Sequence, residues 1–307
     1  MKDILYSIYP ILLALILGYV LGKALPSKLP AFAAKVIGPL VWFLLFSIGL
    51  EFGEIFKEPD AAGNILYTAG VFSVFTTLGA CLLIYAFCKP SQTQKIVTIE
   101  QNKVNIMEPI KECVVALSMV FIGVIISFFT QENNAVLHDL PITDALLYIL
   151  IFFVGMDIVS VKLFSAWRSS AIFFIPIFVM VGSMGGGAIS SFIVGEDLMT
   201  SLAISSGFGW FTLSGVLVSS KIGSTYGAIA LMTDLFRELF AIILMYIFGR
   251  SFAKECVGAA GATSLDSTLP IIKQTCSQET IPIALMSGLL LTLLAPILIT
   301  FFLSSSI

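Results

Sequence analysis

Apolar runs long enough to cross a bilayer recur along the whole chain. Six come first, at about Leu5–Leu21, Val36–Phe52, Leu66–Phe87, Val114–Phe129, Ala145–Val161 and Ala171–Val194. Runs of roughly 20 apolar residues predict spanning helices. After them the pattern changes. Met199–Ile222 is hydrophobic on average but crowded with Ser, Thr and Gly, and Val257–Cys276 is a polar Gly/Ala/Thr/Ser segment. Between these lies an apolar run, about Tyr226 to Phe248, with Asp234, Arg237 and Glu238 near its centre; Ile281–Phe302 is apolar again.

The first six runs carry a weak duplication. Trp42 to Glu51 (WFLLFSIGLE) aligns with Tyr148 to Asp157 (YILIFFVGMD), Gly79 then meets Gly185, and Gly18 meets Gly123 one residue out of register. Chance likeness between apolar segments competes with this reading; the shared glycine–apolar–acid ending argues against it. A three-span repeat has an odd number of crossings, so its copies run in opposite directions, as in many secondary transporters. The chain then divides into a first triplet with its loop (1–107), a second, inverted triplet (108–195) and a C-terminal part (196–307) with polar segments at 199–222 and 257–276.

Charge placement orients the helices. Lys23, Lys28 and Lys35 follow run one without an acid, which puts that loop in the cytoplasm and the N-terminus outside. Glu54, Glu58 and Asp60 then fall outside; Lys89, Lys95, Lys103 and Lys111 inside; Glu132 and Asp139 outside; Lys162 and Arg168 inside; Glu196 and Asp197 outside. If Met199–Ile222 crosses fully, Arg250 and Lys254 end up outside. If it is a re-entrant hairpin, they return to the cytoplasm, and Val257–Cys276 becomes a second hairpin entering from inside. The second arrangement, eight spans with two hairpins, fits the charges better. Either way, irregular polar backbone at membrane depth is tolerated only in a protein interior or along a wet cavity.

Composition agrees with this pattern: 58% of the 307 residues are hydrophobic and 11% charged, with mean hydropathy +1.03. That departs far from soluble averages and sets the fold class as an all-α polytopic membrane protein. The run Leu5–Leu21 is long for a signal core, and its nearest following lysines come after rather than before it, so it reads as a retained helix. Cys81, Cys88, Cys113, Cys256 and Cys276 lack metal spacing, and their odd number argues against a disulfide framework. The single histidine, His138, falls in a polar loop.

The charged helix is the anomaly. Three ionisable groups at its centre cost about 7–10 kcal/mol on an insertion scale, against about 5–9 returned by the surrounding apolar residues. Such a helix needs partners inside a bundle, and intramembrane charges of this kind mark a functional site. Asp234 and Glu238 are four apart and share a helix face, with Arg237 beside them. Arg237 could pair with Asp234 or Glu238, or meet a substrate carboxylate; an ion pair with Asp234 is the less costly choice. In the first polar segment, Ser206, Gly207, Gly209, Thr212 and Ser214 suit a broken helix whose amides and carbonyls could hold a polar ligand, although small residues also serve close packing. In the second, Thr263, Ser264 and Asp266 precede Pro270, which suits a hairpin tip. Glu51 and Asp157 match each other in the repeat but sit at span ends, where a solvated carboxylate costs little.

Three runs carry a resemblance. SGFGWFTLSG (Ser206–Gly215), DLFRELFAI (Asp234–Ile242) and GATSLDSTLPI (Gly261–Ile271) resemble, in order, signature segments of the bacterial LysO lysine exporter family. The C-terminal half carries the close match; the N-terminal half is similar in length and span pattern. The resemblance implies an inner-membrane exporter of L-lysine and its analogue thialysine, with eight spans and both termini outside. It also implies two water-reachable intramembrane acids required for export, which fall by motif on Glu238 and Asp266. Asp234 and Arg237 lie within the motif without a separate role carried over.

The mechanism expected is lysine/proton antiport, in which Glu238 or Asp266 alternates between proton and ammonium; burial favours the protonated carboxyl. The expected partners are L-lysine, protons and the bilayer, with no nucleic acid, no cofactor and no metal; a homodimer is left open. Rivals are export of arginine or ornithine, a passive channel and an intramembrane enzyme. For the last, no Gly-x-Gly-Asp or His-Glu-x-x-His motif is present.

Overall fold

The computed structural model describes residues 2–24, 28–55, 59–88, 107–129, 142–159, 171–277 and 279–305. Among them there is no strand. The helices are α1 (Lys2–Ala24), α2 (Lys28–Ile55), α3 (Pro59–Phe87), α4 (Met107–Phe129), α5 (Ile142–Ile158) and α6 (Ala171–Val194). They continue with α7 (Leu198–Ser205), α8 (Phe211–Ile222), α9 (Ser224–Phe248), α10 (Ala253–Ala260), a 3-10 turn (Gly261–Leu265), α11 (Leu269–Thr275) and α12 (Thr280–Ser305). The chain is an all-α membrane protein. Among the described residues, three helical stretches are long and apolar enough to cross a bilayer by themselves: Ala62–Phe87, Ile172–Val194 and Thr280–Ser305. His138 and the loop charges at 89–106, 130–141 and 160–170 lie outside the described residues. Cys81, Cys88, Cys256 and Cys276 are free thiols; the side chain of Cys113 lies outside those described.

The helices are apolar outward and small or polar inward, the arrangement lipid favours, because bulky chains gain nothing by leaving an apolar solvent. On α3, Leu66, Tyr67, Leu78, Leu82 and Tyr85 are exposed, while Thr68, Ala69, Ser73, Thr76 and Ala80 are buried. Ser73 and Thr77 satisfy their hydroxyls on backbone carbonyls of their own helix.

The first six helices pack in pairs: α1 with α5, α2 with α4, and α3 with α6. Each pair closes on glycine. A Cβ at Gly18 would meet the carbonyl of Phe152, and one at Gly155 the carbonyl of Leu15. A Cβ at Gly49 would meet the carbonyl of Val120, and one at Gly123 that of Phe46. Gly79 and Gly182 each face the other's carbonyl, and Gly186 faces Phe75. The order of these contacts makes α1 parallel to α5, α2 parallel to α4, and α3 antiparallel to α6.

Beyond α6 the chain forms two hairpins. The first, α7–α8, starts where α6 ends: Asp197 caps α7, its Oδ2 accepting the amides of Met199 (3.0 Å) and Thr200 (3.1 Å). α7 doubles back along α6, with Gly187 against Ser205. α8 then returns antiparallel to α9, with Gly227 against Ser219 and Gly215 against Leu231. Both ends of this hairpin therefore lie at one level, tied by the Tyr226 hydroxyl donating to Glu196 Oε2 at 3.0 Å. The second hairpin, α10–α11, leaves from the other end of α9. Its first arm runs back along α9, the Cys256 thiol meeting the carbonyl of Leu244 at 3.5 Å. Its second arm returns until Thr275 faces Gly249. The first hairpin coincides with the polar segment 199–222. The second begins at Ala253, ahead of the expected 257, with Ala253, Glu255 and Cys256 buried against the bundle and Lys254 half-buried.

Glycine at the α3–α6 contact is a packing requirement. Gly79→Ala should destabilise the protein by about 1–3 kcal/mol through overpacking, read as a lower melting temperature in detergent. Gly70→Ala is the control on the same helix: nothing lies within 4 Å of its Cβ position. It should leave the melting temperature unchanged or raise it, since alanine is favoured over glycine inside a helix by about 0.5–1 kcal/mol.

Candidate functional site

The tips of the two hairpins meet beside the middle of α9. The Ala262 amide donates to the Phe208 carbonyl at 2.9 Å, joining the two breaks directly. At the first break, Phe208 takes φ +53° and Gly209 φ +93°. Two successive left-handed residues reverse the chain between α7 and α8, and for phenylalanine this is uncommon. At the second break, Gly261 takes φ +63°, and a Cβ there would strike the Phe208 carbonyl. Glycine is needed at 261 for both the turn and the contact.

Broken helices leave orphan amides and carbonyls, which at membrane depth need partners. One turn of α9 supplies them. Asp234 is 2% exposed, and its Oδ1 accepts the Gly209 amide at 2.7 Å, just ahead of the N-terminus of α8. Its carboxylate can reach the backbone because position 207 is glycine; a Cβ there would strike Oδ2. Arg237 is 1% exposed; its Nε donates to Ala259 O and its Nη2 to Gly258 O, both at 3.1 Å. These carbonyls belong to the last turn of α10. Its Nη1 donates to Ser183 Oγ of α6 at 2.8 Å. A carboxylate near a helix N-terminus and a guanidinium at a helix C-terminus each complement the local dipole.

The ion pair of Arg237 with Asp234 is thus replaced. The planar fork matches two successive carbonyls at a helix end and leaves Asp234 to the other hairpin. Glu238, also 1% exposed, accepts the Ser267 hydroxyl on Oε1 at 2.6 Å. Ser267 directly follows Asp266, which is exposed and accepts the Ser267 amide on Oδ1 at 2.7 Å. One serine therefore brings the buried acid of α9 and the exposed acid of the second tip into one locus.

The other expected residues distribute around these contacts. Ser206 ends α7, its hydroxyl donating to Leu202 O at 2.7 Å. Thr212 and Ser214 lie in the first turns of α8, half-buried and buried. Thr263 donates to Ala260 O at 3.0 Å, and Ser264 lies 2.7 Å from Gly261 O and 2.9 Å from Ala284 O, tying the second tip to α12. Glu51 and Asp157 sit on α2 and α5, and their side chains lie outside those described. Three residues of the arrangement escape sequence reasoning. Ser267 could have been named as the hydroxyl next to Asp266. Phe208 carries no mark of its positive φ. Ser183 is signalled only by the glycine-rich run around it.

Fold and site together define an integral helical membrane protein in which charged side chains of one helix hold two opposed hairpins. A family model described as "Lysine exporter LysO" matches residues 117–303, from α4 to near the end of α12. "Lysine exporter LysO" of Escherichia coli is 31% identical over 308 residues, covering 95% of this chain and 98% of that protein. A "Putative lysine exporter" of Haemophilus influenzae is 33% identical over 193 residues, covering 61% of this chain and 95% of that protein. No solved structure matches the chain. The chain belongs to the lysine exporter LysO family.

The touching tips give a direct test. Gly261→Ala combines a left-handed backbone with a clash at Phe208, and should cost about 1–3 kcal/mol. Thermal melting should show this loss, whereas Gly195→Ala, also at positive φ but with nothing within 4 Å of its Cβ position, should lose less.

Proposed function

We propose that this chain exports L-lysine, together with analogues such as thialysine, across the bacterial inner membrane by proton antiport. The observation that carries the reading is the buried Glu238 linked through Ser267 to the exposed Asp266. Lysine leaves as a cation, and its ammonium groups suit carboxylates. Moving a positive charge outward opposes a negative-inside potential by about 2.3 kcal/mol per 100 mV. A carboxylate that binds either a proton or an ammonium couples the two flows: the proton enters as lysine leaves. One-for-one exchange uses the pH gradient alone; additional protons would also use the voltage. Family membership supports amino-acid export, with the related proteins described as lysine exporters. The chain is on this reading a transporter and not an enzyme.

The membrane arrangement belongs to the same proposal: eight crossings by α1–α6, α9 and α12, hairpins 199–222 from outside and 257–276 from inside, and both termini outside. The path of the chain supports it, since the two hairpins leave from opposite ends of α9. The triplets in 1–107 and 108–195 are proposed as inverted repeats. Exchanging α1–α3 with α4–α6 carries the α1–α5 pair onto α4–α2 and the α3–α6 pair onto itself, which is what a two-fold relation in the membrane plane requires. Glycines follow the same exchange, Gly18 against Gly155 becoming Gly123 against Gly49. Thr212 and Ser214 on the first hairpin, with the nearby amides, are proposed to face the substrate carboxylate. The second reading is export of another cationic amino acid, such as arginine or ornithine.

In proteoliposomes loaded with labelled lysine, an inward proton gradient should accelerate lysine efflux. Glu238→Gln and Asp266→Asn should each lower it at least about tenfold. Native rates in both variants would reject the coupling role, and stronger competition by arginine or ornithine would favour the second reading. Topology has its own check. In a version lacking the five native cysteines, Ser304→Cys should react with an impermeant thiol reagent added to intact cells, and Lys273→Cys only after the membrane is opened.

A further inference from the structure

We propose that Ser183 is a positioning residue for lysine binding, acting through Arg237 on the second tip; the inference rests on the export reading above. Ser183 lies on α6, fully buried, one residue from the glycine that packs against Gly79 of α3. It belongs to the paired-helix scaffold and touches neither Glu238 nor Asp266 through any hydrogen bond found among the described residues. Its hydroxyl is nevertheless one of the three acceptors that hold the Arg237 guanidinium.

The geometry explains why that matters. A guanidinium presents its donors in a rigid plane, so fixing opposite ends fixes its orientation. The Nε–Nη2 edge grips Ala259 and Gly258, the carbonyls just before the Gly261 turn. Nη1, at the opposite end, is pinned by Ser183. Past the turn, Glu238 takes the Ser267 hydroxyl. Residues 237 and 238 therefore hold the second break on both sides of Asp266, and Ser183 ties that grip to the scaffold. Without the hydroxyl, the fork can rotate about its stem, and the level of the tip relative to Glu238 is no longer set. Ser183 is silent in composition and charge, and acts without contacting substrate.

Ser183→Ala removes one acceptor and adds no bulk, so folding should survive. In proteoliposomes the lysine concentration for half-maximal exchange should rise about tenfold, as for loss of one hydrogen bond to a buried charged group, with the maximal rate within about twofold. Arg237→Lys, which keeps the charge but loses the fork, should raise it further. A second readout does not depend on transport. In detergent-solubilised protein lacking the native cysteines, Asp266→Cys should react with a hydrophilic maleimide at a rate that Ser183→Ala changes by at least about threefold. A lower melting temperature with unchanged half-saturation and unchanged labelling would show that Ser183 only supports the fold, and would overturn the proposal. If the native protein moved no lysine, the export reading would fall, and the labelling rate would decide the positioning role alone.

Discussion

Everything in the C-terminal part depends on one turn of α9 that satisfies broken backbone at the depth of a bilayer. An unpaired amide or carbonyl in hydrocarbon costs several kcal/mol, so a chain that interrupts its helices there must supply partners from within the protein. Asp234 supplies an acceptor to the first break and Arg237 supplies donors to the second. The dependence is mutual. A helix carrying three charges would be marginal in lipid alone, and two hairpins with left-handed residues would be equally costly alone. Each offsets part of the other's penalty, and the direct Ala262–Phe208 bond closes the assembly.

Small residues make this possible at a distance. The glycine contacts hold α6 close to α3, on which α9 also packs, and from α6 the Ser183 hydroxyl reaches the Arg237 side chain. With larger residues at Gly79 or Gly182, α6 would stand off and the guanidinium would lose one end of its support. Packing of the paired helices and geometry of the tips are thus linked, through the Ser183 hydroxyl and through the contacts of α10 with Cys81, Ile84 and Val179.

The fold class, the charged helix and both polar segments were legible because their signals are compositional: apolar length, glycine and hydroxyl crowding, and ionisable groups where lipid forbids them. The partner of Arg237 was not. Its acceptors are mainly the carbonyls of Gly258 and Ala259, and a backbone carbonyl has no sequence signature; an arginine one turn from an aspartate reads as an ion pair. The contacts along the hairpin paths were hidden as well. Charge placement favoured a hairpin over a full crossing for 199–222 without giving its path, and the hydrogen bond from Tyr226 to Glu196 reflects a proximity no local pattern encodes. Asp234 and Glu238 did share a helix face, yet serve different hairpins, because four residues advance about 6 Å along the axis.

That advance also bears on what the site can carry. Arg237 is held by neutral acceptors, so its charge is not consumed in a close pair and stands one turn from Asp234. The two offset each other across the structural part of the arrangement. What remains beside the second tip is Glu238, with Asp266 exposed next to it, a locus of two carboxylates joined by a neutral serine. Such a locus attracts cations and repels anions, and in surroundings of low dielectric the preference is stronger than in water. On the proposed export reading, preference for an ammonium-bearing cargo would follow from this charge balance between α9 and the second tip, before any detail of pocket shape is considered.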